Sequence, residues 1–157
     1  MQFDFKIENR IFEDEKIIYV QLSLPYEEMR DAYKSFMKLG IHVFSHQGRN
    51  TGPCYVKYIN ETPESIDVEV CLAVAELLPE TEEVKTALVA RYEGKFAIGT
   101  CRGAYNDIPG AYAKMKDAFD AAGLQLSGEP MIERYLNYRP HMPENELITE
   151  LIWPIKL

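Results

Sequence analysis

The closing stretch of the chain, "ENELITELIWPIKL", puts a carboxylate where a carboxylate is costly. Read as a strand, it alternates two faces: Leu147, Thr149, Leu151, Trp153 and Ile155 share one, and Ile148, Glu150, Ile152 and Pro154 share the other. Both faces are mostly apolar, so the strand is expected to be covered on both sides. An acid among apolar neighbours is either paired or held for a ligand, where it can meet a cation or exchange a proton. A second glutamate, Glu69 in "IDVEVCLAV", has the same setting, although Asp67 shares its face and makes it wetter.

The sequence holds ten tyrosines, more than a small core needs. Tyr135 and Tyr58 each belong to a strand expected to hairpin with a glutamate strand, and they are the best aromatic site candidates. Tyr105 and Tyr26 fall at strand-to-helix junctions, where they line a cleft mouth or simply pack. Tyr33 and Tyr112 lie mid-helix among apolar positions and read as core. Trp153 has parity opposite to Glu150.

Other chemistries find little support. Cys54, Cys71 and Cys101 are odd in number and widely spaced, which indicates neither a disulfide framework nor a zinc site. His42 and His46 stand four apart, but Val43-Phe44 and the nearby glycines suggest a strand or loop there, with no third ligand, so no metal is assigned. No cofactor motif occurs, and no Ser-His-Asp or Cys-His set supports ordinary nucleophilic hydrolysis. A net charge of -8 opposes nucleic acid and anionic membranes and favours cationic partners. With no signal-peptide pattern and no apolar run of membrane-spanning length, the expected location is the cytoplasm.

The elements that position these residues are written twice. "LPYEEMRDAYKSFMKL" aligns with "GAYNDIPGAYAKMKDA" at an offset of 79, matching Tyr26 to Tyr105 and Ala32-Tyr33 to Ala111-Tyr112. "GPCYVKYIN" aligns with "EPMIERYLN" at 77, matching Tyr58 to Tyr135, and Glu69 aligns with Glu150 at 81. Each half reads as a strand pair, a helix and a second hairpin. The first half has strands "FDFKIENRIF" and "EKIIYVQLSL" about a turn at Glu13-Asp14, then a helix over about 26–39. The second has "VKTALVARY" and "KFAIGTCR" about a turn at Glu93-Gly94, then a helix from Ile108, with Pro109 in its first turn and Gly123 as its stop.

The spacing therefore predicts one α+β domain over 1–157, with pseudo-repeats at 1–78 and 80–157. Its antiparallel sheet carries two long helices on one face and a concave ligand face on the other, with a cleft between repeats.

The segment "RGAYNDIPGAYAKMKDAFDAAGLQLSGEPMIERYLN" followed by "ELITELIWPIK" resembles the GyrI-like family, the effector-binding domain of multidrug-sensing regulators, here as a stand-alone protein. Its marks are Arg102, Gly103 and Tyr105 before a helix, then Gly128, Pro130 and Tyr135, then Glu150, Pro154 and Ile155. The match spans nearly the whole chain and is looser in the first half, where Leu24 replaces a glycine and "SHQGRNTGP" lengthens a loop. The resemblance implies duplicated strand-helix-strand-strand (SHS2) repeats, an aromatic-lined pocket and a functional glutamate on the last strand. It also implies lipophilic cations as ligands in drug-sensing members and hydrolysis of cyclopropane-containing toxins in some relatives. Because the chain opens on its first strand, a self-contained DNA-binding regulator is not expected.

The leading expectation is a binding protein for bulky, lipophilic, preferably cationic aromatic molecules, held by Glu150, Glu69, Tyr135, Tyr58, Tyr105, Tyr26, Ile148 and Ile152. The alternative is a hydrolase that opens strained electrophiles, with Glu150 as acid or base and Tyr135 or Tyr105 as its hydrogen-bonding partner. A third reading is a module that binds a basic protein partner such as gyrase.

Overall fold

Alternating apolar residues such as Ile18, Val20 and Leu22 make extended chain the economical state over most of this sequence, and the 3.6-residue spacing of Ala111, Met115 and Phe119 makes helix economical elsewhere. The computed structural model describes residues 1–28, 30–139 and 141–157. Along the chain the elements are β1 (Gln2–Phe12), β2 (Glu15–Pro25), a 3₁₀ turn (Tyr26–Glu28), α1 (Arg30–Ser45), β3 (Asn50–Glu61) and β4 (Ser65–Val74). They continue with β5 (Lys85–Val89), β6 (Tyr92–Arg102), a 3₁₀ turn (Tyr105–Asp107), α2 (Ile108–Ala121), β7 (Met131–Tyr135) and β8 (Ile148–Pro154). The class is α+β, with antiparallel ladders and two helices.

The chain forms two compact units. One comprises Met1–Ile11 with Glu93–Leu157, the other Phe12–Tyr92. In the continuous unit the strands run β3-β4-β2-β5, and α1 packs on β4 and β2. In the discontinuous unit they run β7-β8-β6-β1.

The ladder register repeats with the offsets read from the sequence. Glu69 stands between Gln21 and Lys57, while Glu150 stands between Thr100 and Arg134. Tyr58 faces Val68 as Tyr135 faces Thr149.

The edge strands depart from expectation. β1 does not hairpin with β2, nor β5 with β6: β1 lies beside β6, and β5 pairs with β2. Each unit thus takes its edge strand from the other half of the chain, and the unit limits differ from 1–78 and 80–157. The connecting residues explain this. A two-residue hairpin needs positive φ, and among the described residues only Gln47, His141, Gly103, Gly123 and Gly128 have it. Glu13-Asp14 and Ala90-Arg91 therefore carry the chain onward instead of back. The two links are tied by an Arg91–Glu13 ion pair at 3.8 Å and by the stacked rings of Phe12 and Tyr92, 4.9 Å apart. The turn expected at Glu93-Gly94 is likewise absent, because β6 runs straight through it.

α1 is longer than expected and ends at Ser45, so Val43-Phe44 is helix, not strand or loop. Gly40 does not stop it, because buried Leu39, His42 and Val43 continue the apolar stripe. The stop is a left-handed Gln47 (φ 55°), with the Gly48 N–H donating to the Val43 carbonyl at 2.8 Å and the Gln47 N–H to that of Phe44 at 3.1 Å. Met29, inside the expected first turn, lies outside the described residues. α2 ends as expected on left-handed Gly123 (φ 69°). Its face packs Ala111, Met115 and Phe119 against Ala97, Cys101, Leu151, Trp153 and Ile155, so Trp153 points at the helix. Gly99 of β6 makes this fit, since a Cβ there would lie 2.7 Å from the Met115 sulfur and 2.8 Å from the Phe3 ring.

Candidate ligand site

Glu150 is buried, and its carboxylate is held by arginines of its own unit. Arg10 of β1 donates twice, Nη1 to Oε1 at 3.1 Å and Nη2 to Oε2 at 3.0 Å, and Arg134 Nη1 donates to Oε1 at 3.2 Å. Arg10 also grips Glu8, which meets Lys6 at 3.1 Å. Burial pulls the Arg10 pKa down, but its hydrogen bonds to Glu150 and Glu8 outweigh burial and raise it. The Arg10 hydrogen bond holds the Glu8 carboxyl below its ordinary value. Two guanidinium groups thus already meet the carboxylate that was expected to wait for a ligand's positive charge.

The other candidates scatter. Glu69 is half-buried beside Lys57 and Gln21. Tyr58 is half-buried on β3, and Tyr26 is exposed on its 3₁₀ turn, where partial desolvation and then Glu61 raise its hydroxyl's pKa. Ile152 is fully buried between Ile98 and Ile132, on the Glu150 face. Ile148 gives its N–H to Asn137 Oδ1 at 2.8 Å. Tyr135 faces Thr149, so it and Glu150 lie on opposite faces and do not form the expected acid-tyrosine pair.

Tyr135 meets a different carboxylate. Glu133, two residues earlier on the same face of β7, is 1% exposed and accepts the Tyr135 hydroxyl. It also accepts the hydroxyl of Tyr112, from α2, at 2.9 Å. Burial pushes the nearby Cys101 thiol up to about 11, with the charge of Glu133 adding to the rise. Aromatic rings continue outward from this acid. Tyr135 meets Tyr105 edge-on at 5.3 Å, and Tyr105 meets Tyr138, which is 63% exposed, at 6.3 Å. On the other flank Tyr112 stacks on Trp153 at 6.4 Å, and Trp153 meets Phe119 at 5.2 Å. The structure thus joins Tyr135 and Tyr105 to Glu133 and Tyr112, which the sequence reading left out. The legible signal was Glu-x-Tyr in "IERYLN", a spacing that sends both side chains to one face of a strand.

The rings of His42 and His46 meet at a tilt, 4.3 Å apart, beside an open groove between α1 and residues 81–84. His42 Nε2 is tied to the Pro79 carbonyl at 2.8 Å, and no group of three potential metal ligands occurs among the described residues.

The profile of the GyrI-like small molecule binding domain matches residues 6–156. The chain belongs to the GyrI-like family. Solved structures share this fold at low identity. The C-terminal domain of EcmrR aligns with a TM-score of 0.74 at 17% identity, over 97% of this GyrI-like chain and 98% of that one. SAV2435 bound to tetraphenylphosphonium aligns at 0.63 and 10% identity, over 96% and 94%. A hydrolase from Listeria innocua aligns at 0.54 and 13%, over 96% and 92%. No curated protein matches the sequence. Among the described residues, no helix of this GyrI-like protein is long and apolar enough to cross a membrane.

Proposed function

We propose that this GyrI-like protein binds bulky lipophilic cations in the cytoplasm, with Glu133 selecting positive charge and Tyr105, Tyr112, Tyr135 and Tyr138 supplying aromatic contact. One observation carries the reading: tyrosine rings run from an exposed residue to a fully buried carboxylate. A charged acid in that setting is costly, and phenol donors offset part of the cost. A cation offsets more, while the ring faces add about 0.5–2 kcal/mol each through cation–π attraction. Such contacts fix shape and sign and impose little hydrogen-bond geometry, so several ligands of one class are accepted. The binding of tetraphenylphosphonium by SAV2435, a protein of the same fold, agrees in ligand chemistry. Cys54, Cys71 and Cys101, all free thiols, fit a reducing compartment.

Calorimetric titration with tetraphenylphosphonium, beside neutral triphenylphosphine oxide, tests the proposal. Glu133→Gln keeps the shape and an acceptor for the tyrosines but removes the charge. It is expected to weaken the cation by about 1.5–3 kcal/mol, roughly 10- to 150-fold, and the neutral compound by only a few-fold. Unchanged cation affinity in Glu133→Gln sinks the proposal. The hydrolytic alternative moves with the site, since Tyr135 meets Glu133 and not Glu150. Opening of a strained electrophile by the wild type, abolished in Glu133→Gln, would put catalysis in place of binding.

A further inference from the structure

Because α1 runs on to Ser45, His42 and His46 stand one helical turn apart, where side chains four residues apart meet. The His46 N–H donates to the His42 carbonyl at 3.2 Å, so the helical ladder reaches His46. Both rings are fixed by backbone oxygens. His42 Nε2 lies 2.8 Å from the Pro79 carbonyl, and His46 Nδ1 lies 2.9 Å from the His42 carbonyl. A carbonyl only accepts, so each of these nitrogens carries its ring's proton and donates it. In the neutral rings the lone pairs then sit on His42 Nδ1 and His46 Nε2, and neither nitrogen has a hydrogen-bond partner among the described residues. One ring nitrogen tied to a carbonyl and the other left with its lone pair is the arrangement that orients metal-ligating histidines.

We propose that His42 and His46 form a two-point chelate for a late first-row divalent cation such as Cu²⁺ or Ni²⁺, with water in its remaining positions. The ring centres are 4.3 Å apart. Two imidazoles on one ion, bound at about 2.0–2.1 Å and at a right angle, have ring centres roughly 4.5 Å apart, so little side-chain movement completes the pair. A right angle belongs to tetragonal and octahedral ions, which sets Cu²⁺ and Ni²⁺ ahead of tetrahedral Zn²⁺. The surroundings admit a cation. His46 is exposed, and both rings line the groove of about 450 Å³ between α1 and residues 81–84. Lys38, on the same groove, is neutralised by Glu83 at 2.9 Å, and Glu82 adds a second carboxylate. His42, 6% exposed and pinned at Pro79, supplies the rigid arm of the chelate, and His46 supplies the accessible one. Mg²⁺ and Ca²⁺ prefer oxygen donors and gain little from two imidazoles.

Calorimetric titration of the chain, free of any polyhistidine tag, with Ni²⁺ and with Mg²⁺ tests this. The wild type is expected to bind one Ni²⁺ per chain and to melt at a higher temperature as Ni²⁺ rises, because the ion binds the folded state, while Mg²⁺ does neither. His46→Ala, at an exposed position, is expected to keep the wild-type circular dichroism spectrum and to lose about 100-fold in Ni²⁺ affinity, since the second arm of a chelate acts at high effective concentration. His141→Ala, which removes the third histidine of the chain, is expected to bind Ni²⁺ as the wild type does. Electron spin-echo spectra of the Cu²⁺ complex are expected to show two coupled imidazoles. Absence of saturable Ni²⁺ binding by the wild type overturns the proposal, as does wild-type affinity in His46→Ala or loss of binding in His141→Ala. A single coupled imidazole on Cu²⁺ overturns the part assigned to His42.

Discussion

Glu150→Gln should unfold this protein more easily and leave ligand affinity alone. The native carboxylate accepts three charge-assisted hydrogen bonds from Arg10 and Arg134, at 3.0–3.2 Å. The amide loses the charge and offers only one acceptor oxygen, so the two guanidinium groups are left facing each other across a partly dry site. Breaking a buried pair typically costs about 3–5 kcal/mol. The Arg10 and Arg134 side chains are 19% and 25% exposed, so water recovers part of that cost. A loss of about 2–3 kcal/mol follows. For a chain of 157 residues this lowers the melting temperature by about 4–12 °C. Urea denaturation followed by circular dichroism gives the free energy directly, and the tetraphenylphosphonium titration is run on the same sample. A denaturation curve coinciding with the wild type would show that the arginine clamp contributes nothing. Preserved stability with lost cation affinity would return the ligand site to Glu150 and refute the assignment made here.

Gln47→Gly should stabilise the protein by about 1 kcal/mol, since it removes a side chain from a left-handed residue, and thermal unfolding should shift upward by about 2–4 °C. Alkaline pH should destabilise it. Burial pushes the Cys71 thiol from 9.0 up to about 12, so the folded state holds a proton that the unfolded chain releases. That contribution is intact below pH 9 and is lost as pH rises toward 12, at up to about 1.4 kcal/mol per pH unit, with burial of Tyr55 acting in the same direction. Urea midpoints measured across this range should fall, and less steeply in Cys71→Ala.

Much of the fold was legible because duplication writes register into sequence. The offsets of 79, 77 and 81 aligned Gln21 with Thr100, Lys57 with Arg134 and Glu69 with Glu150, and these are neighbours in both ladders. Strand partners at the edges were not legible, because alternation shows that a segment is a strand and not which strand it joins. That gap hid the partner of Glu150, since Arg10 reaches it only when β1 lies beside β6. The proposed site was half legible. Tyr135 and Tyr105 stood among the candidates, but Glu133 did not, because "MIERY" places it between apolar Ile132 and charged Arg134 with no alternation to mark it as buried. Tyr112 looked like core because a half-buried phenol on a helix and a buried phenyl ring leave the same periodic trace. α1 was cut short because glycine signals a stop only where the backbone turns left-handed, and that happens at Gln47, not Gly40.

The exchanged edge strands set an order of events during synthesis. The unit from Phe12 to Tyr92 is one uninterrupted segment, and all its strands exist once Val89 has been made. The other unit joins β1, made before that segment, to β6, β7 and β8, made after it. β1 leaves the ribosome some 80 residues before β6, so at about 5–20 residues per second it waits roughly 4–16 s for its neighbour. During that interval Phe3, Phe5, Ile7 and Ile11 lie on an unpartnered nascent strand. The alternating Asp4, Lys6, Glu8 and Arg10 then act as gatekeepers that discourage pairing between chains on neighbouring ribosomes, before Arg10 closes on Glu150.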